Sequence, residues 1–346
     1  MILRATLFAA CLACTTAACA STARPAGESR DLAACYDAQV AQVPFSGVVL
    51  LDFDGEVFVR TDGYADLAGT VPIERDMRFR LASVTKLITR AAIGRLIDAG
   101  RIALDAPVGR YLDGLPAPMA QVTIEQLLDH RSGVANLRYI DDADYARFAA
   151  ARTQAERLPF ITSVPLEFAP GEREVYSNGG FLLLGAVIEA VTGQSYADFV
   201  REAVYAPIGM DDSGHRNDDR TVVHMTRATS ADGTPPLRQG QQPDRWGDAS
   251  GDTVSTADDL RRFGQALLGD DFLSATTRAE VFQADSPFTI FHDGATEGVE
   301  TAFIANAEPR AILVMLANRD GPAGELVARA LLAEAGLMGS GCTATQ

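Results

Sequence analysis

The alternation of apolar and polar positions gives the chain strand-like ends and a helical middle. After a small, polar stretch at 21–30, residues 31–42 carry helical spacing. Two β-branched apolar runs follow, 46–53 and 56–61, and Asp54-Gly55 between them signals a hairpin. From about residue 79 the period becomes helical. Leu87, Ile88, Ala91, Ala92, Leu96 and Ile97 share one face of a helix predicted over 83–99, and Gly100 stands where a glycine ends such a helix. Further helices are predicted over 123–130, 179–191, 196–204 and 257–268. The first opens on a threonine cap, and the last is capped by Ser255 or Thr256. The apolar run 181–191 contains Glu189 and has the length of a core helix, not of a membrane span. Polar loops separate these helices at 139–144, 211–219 and 231–251. Three runs, 286–291, 300–306 and 311–317, are then spaced as adjacent antiparallel strands, and 324–337 closes as a helix. The simplest assembly is an α+β domain over 31–340. One antiparallel sheet is built from both chain ends, about 31–78 and 285–340, and a mainly helical region of about 79–284 is inserted between them.

The first twenty residues stand apart. Arg4 precedes an uncharged stretch, 5–18, and Ala18-Cys19-Ala20 fits a signal-peptide cut after Ala20. Thr16-Ala17-Ala18-Cys19 also resembles a lipoprotein box, with Thr16 in place of the usual leucine. Secretion and lipid anchoring at Cys19 both fit, and only the second implies a membrane. Cys11, Cys14 and Cys19 belong to this segment, which leaves Cys35 and Cys342. In an oxidising compartment these two are expected to pair; the alternative is two unpaired thiols. Apolar residues at 47% and charged residues at 22% are ordinary for a globular domain. The formal net charge of −16 and the lack of a basic run argue against a nucleic-acid partner. His130, His215, His224 and His292 are scattered and no Cys/His set has zinc spacing, so neither metal nor cofactor is expected.

Lys86 is the one lysine among 30 basic residues. Arginine carries the same charge on a surface but does not give up its proton. Lys86 ends Ser83-Val84-Thr85-Lys86, so a hydroxyl lies three residues before the amine, on the same helical face. At a helix start, free backbone N–H groups favour developing negative charge on such a serine. Nucleophile and base is one reading of the pair. A helix cap beside a surface cation is the other, and the pair alone does not separate them.

Two further motifs do. Tyr176-Ser177-Asn178 precedes the helix beginning near 180, and His292-Asp293-Gly294 ends the first C-terminal strand. The ordered set Ser-x-x-Lys, Tyr-Ser-Asn and His-x-Gly resembles the serine β-lactamase and penicillin-recognising superfamily. Its class C-like branch, which also holds serine esterases and D-amino-acid peptidases, is the nearest match. Arg80-Leu81-Ala82, Leu127-Leu128-Asp129-His130-Arg131-Ser132-Gly133, Val191-Thr192-Gly193, Val254-Ser255-Thr256-Ala257-Asp258-Asp259-Leu260 and Leu316-Ala317-Asn318-Arg319-Asp320 extend the resemblance over roughly 45–335.

The resemblance implies a β-lactamase-like fold and an acyl-enzyme on Ser83. Lys86 would take the serine proton. Tyr176 would relay it to the leaving group and then help activate water. Asn178 would orient Lys86 and the substrate amide, and His292 would donate to substrate. The oxyanion hole would comprise the N–H groups of Ser83 and Ala295. Gly294 would leave room for substrate against the strand. Read singly, Tyr176 is a buried aromatic, Asn178 a helix cap and His292 a strand-end histidine. The remaining histidines read as structural, Asp141, Asp142 and Asp144 as a solvated loop, and Trp246 as a residue at the cleft. The third motif departs from the Lys-Thr-Gly of efficient β-lactamases of this branch. No Ser-Asp-Asn motif or downstream general-base glutamate supports a class A relative. The expectation is an exported serine hydrolase of D-amino-acid peptidase or esterase type. Its substrate would be a small amide or ester, cell-wall peptides included. The rivals are a true β-lactamase and a non-catalytic binder of peptidoglycan or a protein partner.

Overall fold

The computed structural model describes residues 31–66, 68–136, 147–148, 150–215, 248–251, 253–284, 288–296, 298–319 and 321–338. Its strands are β1 (Gly47–Phe53), β2 (Glu56–Asp62), β3 (Phe79–Arg80), β4 (Gly214–His215), β5 (Thr253–Ser255), β6 (Thr289–Thr296), β7 (Val299–Asn306) and β8 (Ala311–Ala317). The main sheet is antiparallel with order β2-β1-β8-β7-β6. The first and last strands of the chain therefore pair, Gly47 opposite Ala317 and Phe53 opposite Ala311. The β1–β2 hairpin turns at Asp54 and Gly55, both with positive φ, the hand that matches the twist of the strands. A small second sheet has the order β3-β5-β4.

The principal helices are α1 (Leu32–Val40), α2 (Thr85–Asp98), α3 (Ala117–Ala120), α4 (Ile124–Leu128), α5 (Gln154–Thr162), α6 (Asn178–Thr192), α7 (Tyr196–Val200), α8 (Ala257–Leu268), α9 (Ala275–Phe282) and α10 (Ala323–Glu334). Side chains from alternate positions of β1 and β8 enter two separate cores. Val48, Leu50, Val314 and Leu316 pack with α2, α6 and α8. Val49, Leu51, Leu313 and Met315 pack with Tyr36 of α1 and with Val327, Ala328 and Leu331 of α10. A sheet covered on both faces has no solvent side, which is why β1 and β8 are nearly continuous apolar runs. Leu87, Ile88, Ile93 and Leu96 anchor α2 in the larger core. Burying each such side chain contributes about 1.5–3 kcal/mol, so packing rather than intrinsic propensity holds this helix.

Three differences from the sequence pattern matter for the site. Ser83 does not open the α-helix; it sits in a 3₁₀ turn, Ala82–Val84, that feeds α2. The strand predicted over 286–291 instead continues to Thr296, paired with Val299. Its apolar pattern stops at Phe291, but backbone pairing with β7 needs no apolar side chain. His292, Gly294 and Ala295 consequently lie within an edge strand rather than after it. The predicted 196–204 helix ends at Val200 and passes into a π-helical turn, Arg201–Tyr205. The small sheet, α5 with Pro159 inside it, and α9 have patterns too short or too mixed to stand out. The leader, Cys19, the loop 139–144, His224, Trp246 and Cys342 lie outside the described residues, as does most of the loop 231–251. Among the described residues no helix is long and apolar enough to cross a membrane.

Candidate active site

The turn that carries Ser83 is strained and braced. Ala82 has φ +45, a region that a residue with a Cβ seldom adopts. Such backbone costs on the order of 1–3 kcal/mol and persists only where its surroundings fix it. Here the Leu81 N–H donates to the Thr253 carbonyl of β5 at 2.9 Å. The Thr301 hydroxyl of β7 donates to the Leu81 carbonyl at 2.9 Å. On the far side of Ser83, the Thr253 N–H donates to Thr85 Oγ1 at 3.2 Å. Two sheets thus grip the turn from either side.

Lys86 lies one helical turn on, fully buried at 0% exposure. Its Nζ donates to the Ser250 carbonyl at 2.5 Å, to Asn178 Oδ1 at 2.8 Å and to Ser83 Oγ at 3.3 Å. These three oxygens match the three N–H bonds of an ammonium. The Ser250 carbonyl is itself placed by Asp248, whose Oδ1 accepts from the Ser250 N–H, the Ser250 hydroxyl and the Gly251 N–H. Asn178 opens α6 but does not cap it. Ser177 is the cap, with its Oγ accepting from the Gly180 N–H at 3.0 Å. The Asn178 amide is therefore left to face Lys86 with its oxygen and Asn136 Oδ1 with its nitrogen, the latter at 3.0 Å.

Tyr176 Oη donates to Ser83 Oγ at 2.7 Å, and Lys86 Nζ lies 4.8 Å from its ring centre. Its ring is 36% exposed, so the phenol sits at the mouth of the site and Lys86 at its floor. His130 holds Tyr176 from three directions. Its carbonyl accepts from the Val175 N–H at 2.9 Å, its Nδ1 accepts from the Ser177 N–H at 3.2 Å, and its ring lies 4.5 Å from the tyrosine ring. Burial, reinforced by the charges of Lys86 and Arg90, pushes the His130 imidazole down to about 2, so the ring is neutral. Arg90, buried one turn after Lys86, is bound by the Leu128 and Val281 carbonyls, and burial lowers it to about 10.

Strand β6 packs on the turn that carries Ser83. A Cβ added at Gly294 would stand 2.8 Å from the Ser83 nitrogen, 2.6 Å from the Leu81 carbonyl oxygen and 2.5 Å from Thr301 Oγ1. The glycine therefore makes room for the turn that holds Ser83, which differs from the expected role of clearing substrate. His292, two residues earlier, presents Nδ1 to the Asp293 carbonyl at 2.6 Å. A carbonyl has no proton to give, so Nδ1 is the donor. Burial, then Lys86, lowers this imidazole to about 3. In the neutral ring Nε2 is a proton acceptor, the reverse of the donor expected from sequence. Ala295 is exposed at the end of β6.

The structure thus joins Ser83, Lys86, Tyr176 and Asn178 by direct hydrogen bonds and sets Gly294 against the Ser83 nitrogen. Cys35 lies far off in the fold, buried in α1. Sequence reading missed Ser250, Asp248, Asn136 and Thr301. Ser250 acts through its carbonyl, which no residue type announces. His130, read as structural, supports Tyr176 directly; its place in the Leu127–Gly133 segment was the one available signal. Among the described residues no group of three or more His, Cys, Asp or Glu could hold a metal.

The family model described as Beta-lactamase matches residues 32–337. The chain is 28% identical to "Penicillin-binding protein 4*" of Bacillus subtilis (strain 168) over 80% of this chain and 68% of that protein. It is 38% identical to "Esterase EstB" of Burkholderia gladioli over 48% of this chain and 46% of that protein. The first of these curated relatives is thus spanned for about two thirds of its length and the second for less than half. Among solved structures, a penicillin binding protein from Bacillus halodurans superimposes with a TM-score of 0.77 at 27% identity. That match covers 86% of this chain and 98% of that one.

Proposed function

The chain belongs to the Beta-lactamase family and is a serine hydrolase, and from that premise we propose that it is an exported enzyme cleaving small amides or esters through an acyl-enzyme on Ser83. The type is D-amino-acid peptidase or esterase. The observation that carries this is the convergence of Tyr176 Oη at 2.7 Å and Lys86 Nζ at 3.3 Å on Ser83 Oγ. The Lys86–Tyr176 pair can take a proton only when it is one proton short, with either a neutral Lys86 amine or a Tyr176 phenolate; in that state Ser83 Oγ attacks the acyl carbonyl and its proton passes to the pair, Tyr176 being the nearer member. The Lys86 charge beneath the ring favours negative charge on the phenol oxygen during transfer. Tyr176 then protonates the leaving alcohol or amine, and the acyl group stays on Ser83. A water that gives its proton back to the pair releases the acid and restores the serine. Asn178 holds Lys86 in place through its carbonyl oxygen.

The third motif bears on substrate. A neutral His292 offers no fixed positive charge, so a substrate carboxylate gains nothing from it, whereas an uncharged ester or amide loses nothing. Likeness to EstB supports the ester arm. Export is supported by Arg4, the uncharged stretch at 5–18 and Ala18-Cys19-Ala20. A Cys35–Cys342 bond is supported by the disulfide-bonded state of Cys35 and by packing of α1 on the C-terminal helix α10.

The test compares wild type with Ser83→Ala on a short-chain p-nitrophenyl ester, a chromogenic cephalosporin and a D-Ala-D-Ala peptide, with intact mass to detect the acyl adduct. Turnover and an adduct lost together in Ser83→Ala are expected. Equal behaviour of the two proteins on all three substrates overturns the hydrolase assignment. Turnover of the cephalosporin alone makes the enzyme a β-lactamase, and binding without an adduct makes it a binder.

A further inference from the structure

We infer that Thr301 is a positioning residue that fixes both backbone donors of the oxyanion hole. This rests on Ser83 being the nucleophile. Thr301 stands opposite Gly294 in the β6–β7 register, buried at the third pair from the hairpin end. Its hydroxyl reaches two carbonyls, Leu81 at 2.9 Å and Gly294 at 3.2 Å. One proton shared in this way is a three-centre hydrogen bond.

The two carbonyls are not ordinary ones. The Gly294 carbonyl belongs to the same planar, trans peptide as the Ala295 N–H. In such a unit C=O and N–H point in opposite directions. Because the carbonyl is aimed at Thr301 on β7, the Ala295 N–H is aimed away from β7. Among the described residues β6 is an edge strand of the sheet, so that N–H points off the edge and not toward a paired strand. The Leu81 carbonyl opens the strained Ala82 turn, two residues before the Ser83 N–H. A single hydroxyl therefore ties the peptide carrying one donor to the turn carrying the other. Gly294 allows that closeness, since a Cβ there would collide with Thr301 Oγ1 and with Ser83 N together. An oxyanion hole works when its donors are held before charge develops, and backbone donors depend wholly on what fixes their peptide planes. Thr301 touches no reacting atom, so it acts through Ser83 and Ala295.

The test replaces Thr301 with valine, which keeps the shape and removes the hydroxyl. For Thr301→Val with a p-nitrophenyl ester, kcat is expected to fall at least about tenfold while KM stays within about threefold, because the hole acts on the transition state. Affinity for phenylboronic acid, whose tetrahedral adduct on Ser83 places an oxygen in the hole, should fall by a similar factor. Thr301→Ser, which restores the hydroxyl, should recover both. A purely structural threonine would lower the thermal midpoint in all variants without this split. Retention of kcat and boronic-acid affinity within twofold in folded Thr301→Val overturns the inference. If the valine variant does not fold, Thr301→Cys, a weak donor of similar size, carries the same comparison. Ser83→Ala is run alongside. If it is inactive while Thr301→Val is fully active, the Thr301 inference alone fails. If it is as active as wild type, the hydrolase assignment fails and takes Thr301 with it.

Discussion

Gly294→Ala replaces a hydrogen by a methyl group at a place where the fold has no room for it. The new Cβ would meet the Leu81 oxygen at 2.6 Å and the Ser83 nitrogen at 2.8 Å. Both are backbone atoms, so no rotamer change relieves the contact. To reach an ordinary separation of about 3.4 Å, β6 must retreat from the turn by roughly 0.6–0.8 Å. The useful range for an oxyanion donor is only about 2.7–3.1 Å, so a retreat of that size takes the Ala295 N–H out of reach of an oxygen still bound by the Ser83 N–H. Loss of one such donor costs about 10²–10³ in kcat. Overpacking costs about 1–3 kcal/mol of stability besides. The assay is kcat on a p-nitrophenyl ester, normalised to active sites by burst titration, with the thermal midpoint measured in parallel. A fall in kcat of a hundredfold or more in protein that remains folded is expected. A folded variant with kcat within threefold of wild type would refute the geometry, because the strand would then have moved without loss of the donor.

Lys86→Arg keeps the charge but puts a larger group that holds its proton into a pocket with no exposure; kcat/KM should fall by about 10²–10⁴, and unchanged activity would remove Lys86 from proton transfer. His130→Asn retains a side-chain acceptor for the Ser177 N–H and tolerates the positive φ, yet removes the ring against Tyr176. It should lower kcat about tenfold, with the protein as stable as wild type to within about 2 kcal/mol, and an unaltered kcat would dismiss the ring contact as incidental. The two depressed imidazoles also set a pH trend. The unfolded chain takes up a proton on each near pH 6.5, whereas the fold resists until about pH 2 for His130 and about pH 3 for His292. Their contribution is complete above pH 6.5 and is lost as pH falls toward 3, by at most about 1.4 kcal/mol per pH unit for each. A thermal midpoint followed from pH 7 to pH 4 should drop less steeply in His292→Gln than in wild type, and parallel curves would contradict a neutral, half-buried His292.

How much of this was legible in the sequence depends on whether a residue acts through its side chain or its backbone. Ser83, Lys86, Tyr176 and Asn178, which the structure joins by hydrogen bonds, carry side chains of distinctive chemistry, and their order along the chain singled them out as candidates before any contact was known. The sheet drawn from both ends was equally readable, since β1 and β8 are covered on both faces and must be apolar throughout. Ser250 contributes a carbonyl, and the Ser83 turn is held by carbonyls and N–H groups of β5 and β7. Every residue type has those groups, so nothing in composition marks them. Gly294 shows the same limit from the other side. Its presence was noticed, but its closeness to the Ser83 turn was not, because the sequence could not say which neighbour fills the space of the missing Cβ. β6 was cut short at Phe291 for a related reason: pairing with β7 carries it through His292-Asp293-Gly294, where the apolar pattern has already ended.

The same division explains why the site is built across two regions of the chain. Lys86 and Tyr176 must be partly withdrawn from water, which helices of the inserted region supply. The oxyanion donors must be rigid to a few tenths of an ångström, which the edge of a paired sheet supplies. Ser83 sits where both demands meet. Its side chain faces the helical pair and its nitrogen faces β6, with the strained Ala82 turn between them. A change confined to either side should therefore leave a distinct trace. Helical-side variants such as Lys86→Arg should slow proton transfer while the boronic-acid adduct still forms with an oxygen in the hole. Sheet-side variants such as Thr301→Val should weaken that adduct while the pH dependence of kcat/KM stays that of wild type. If both classes of variant weakened the adduct and shifted the pH profile in equal measure, the two halves would not be separable and the division of labour between helix and sheet would be wrong.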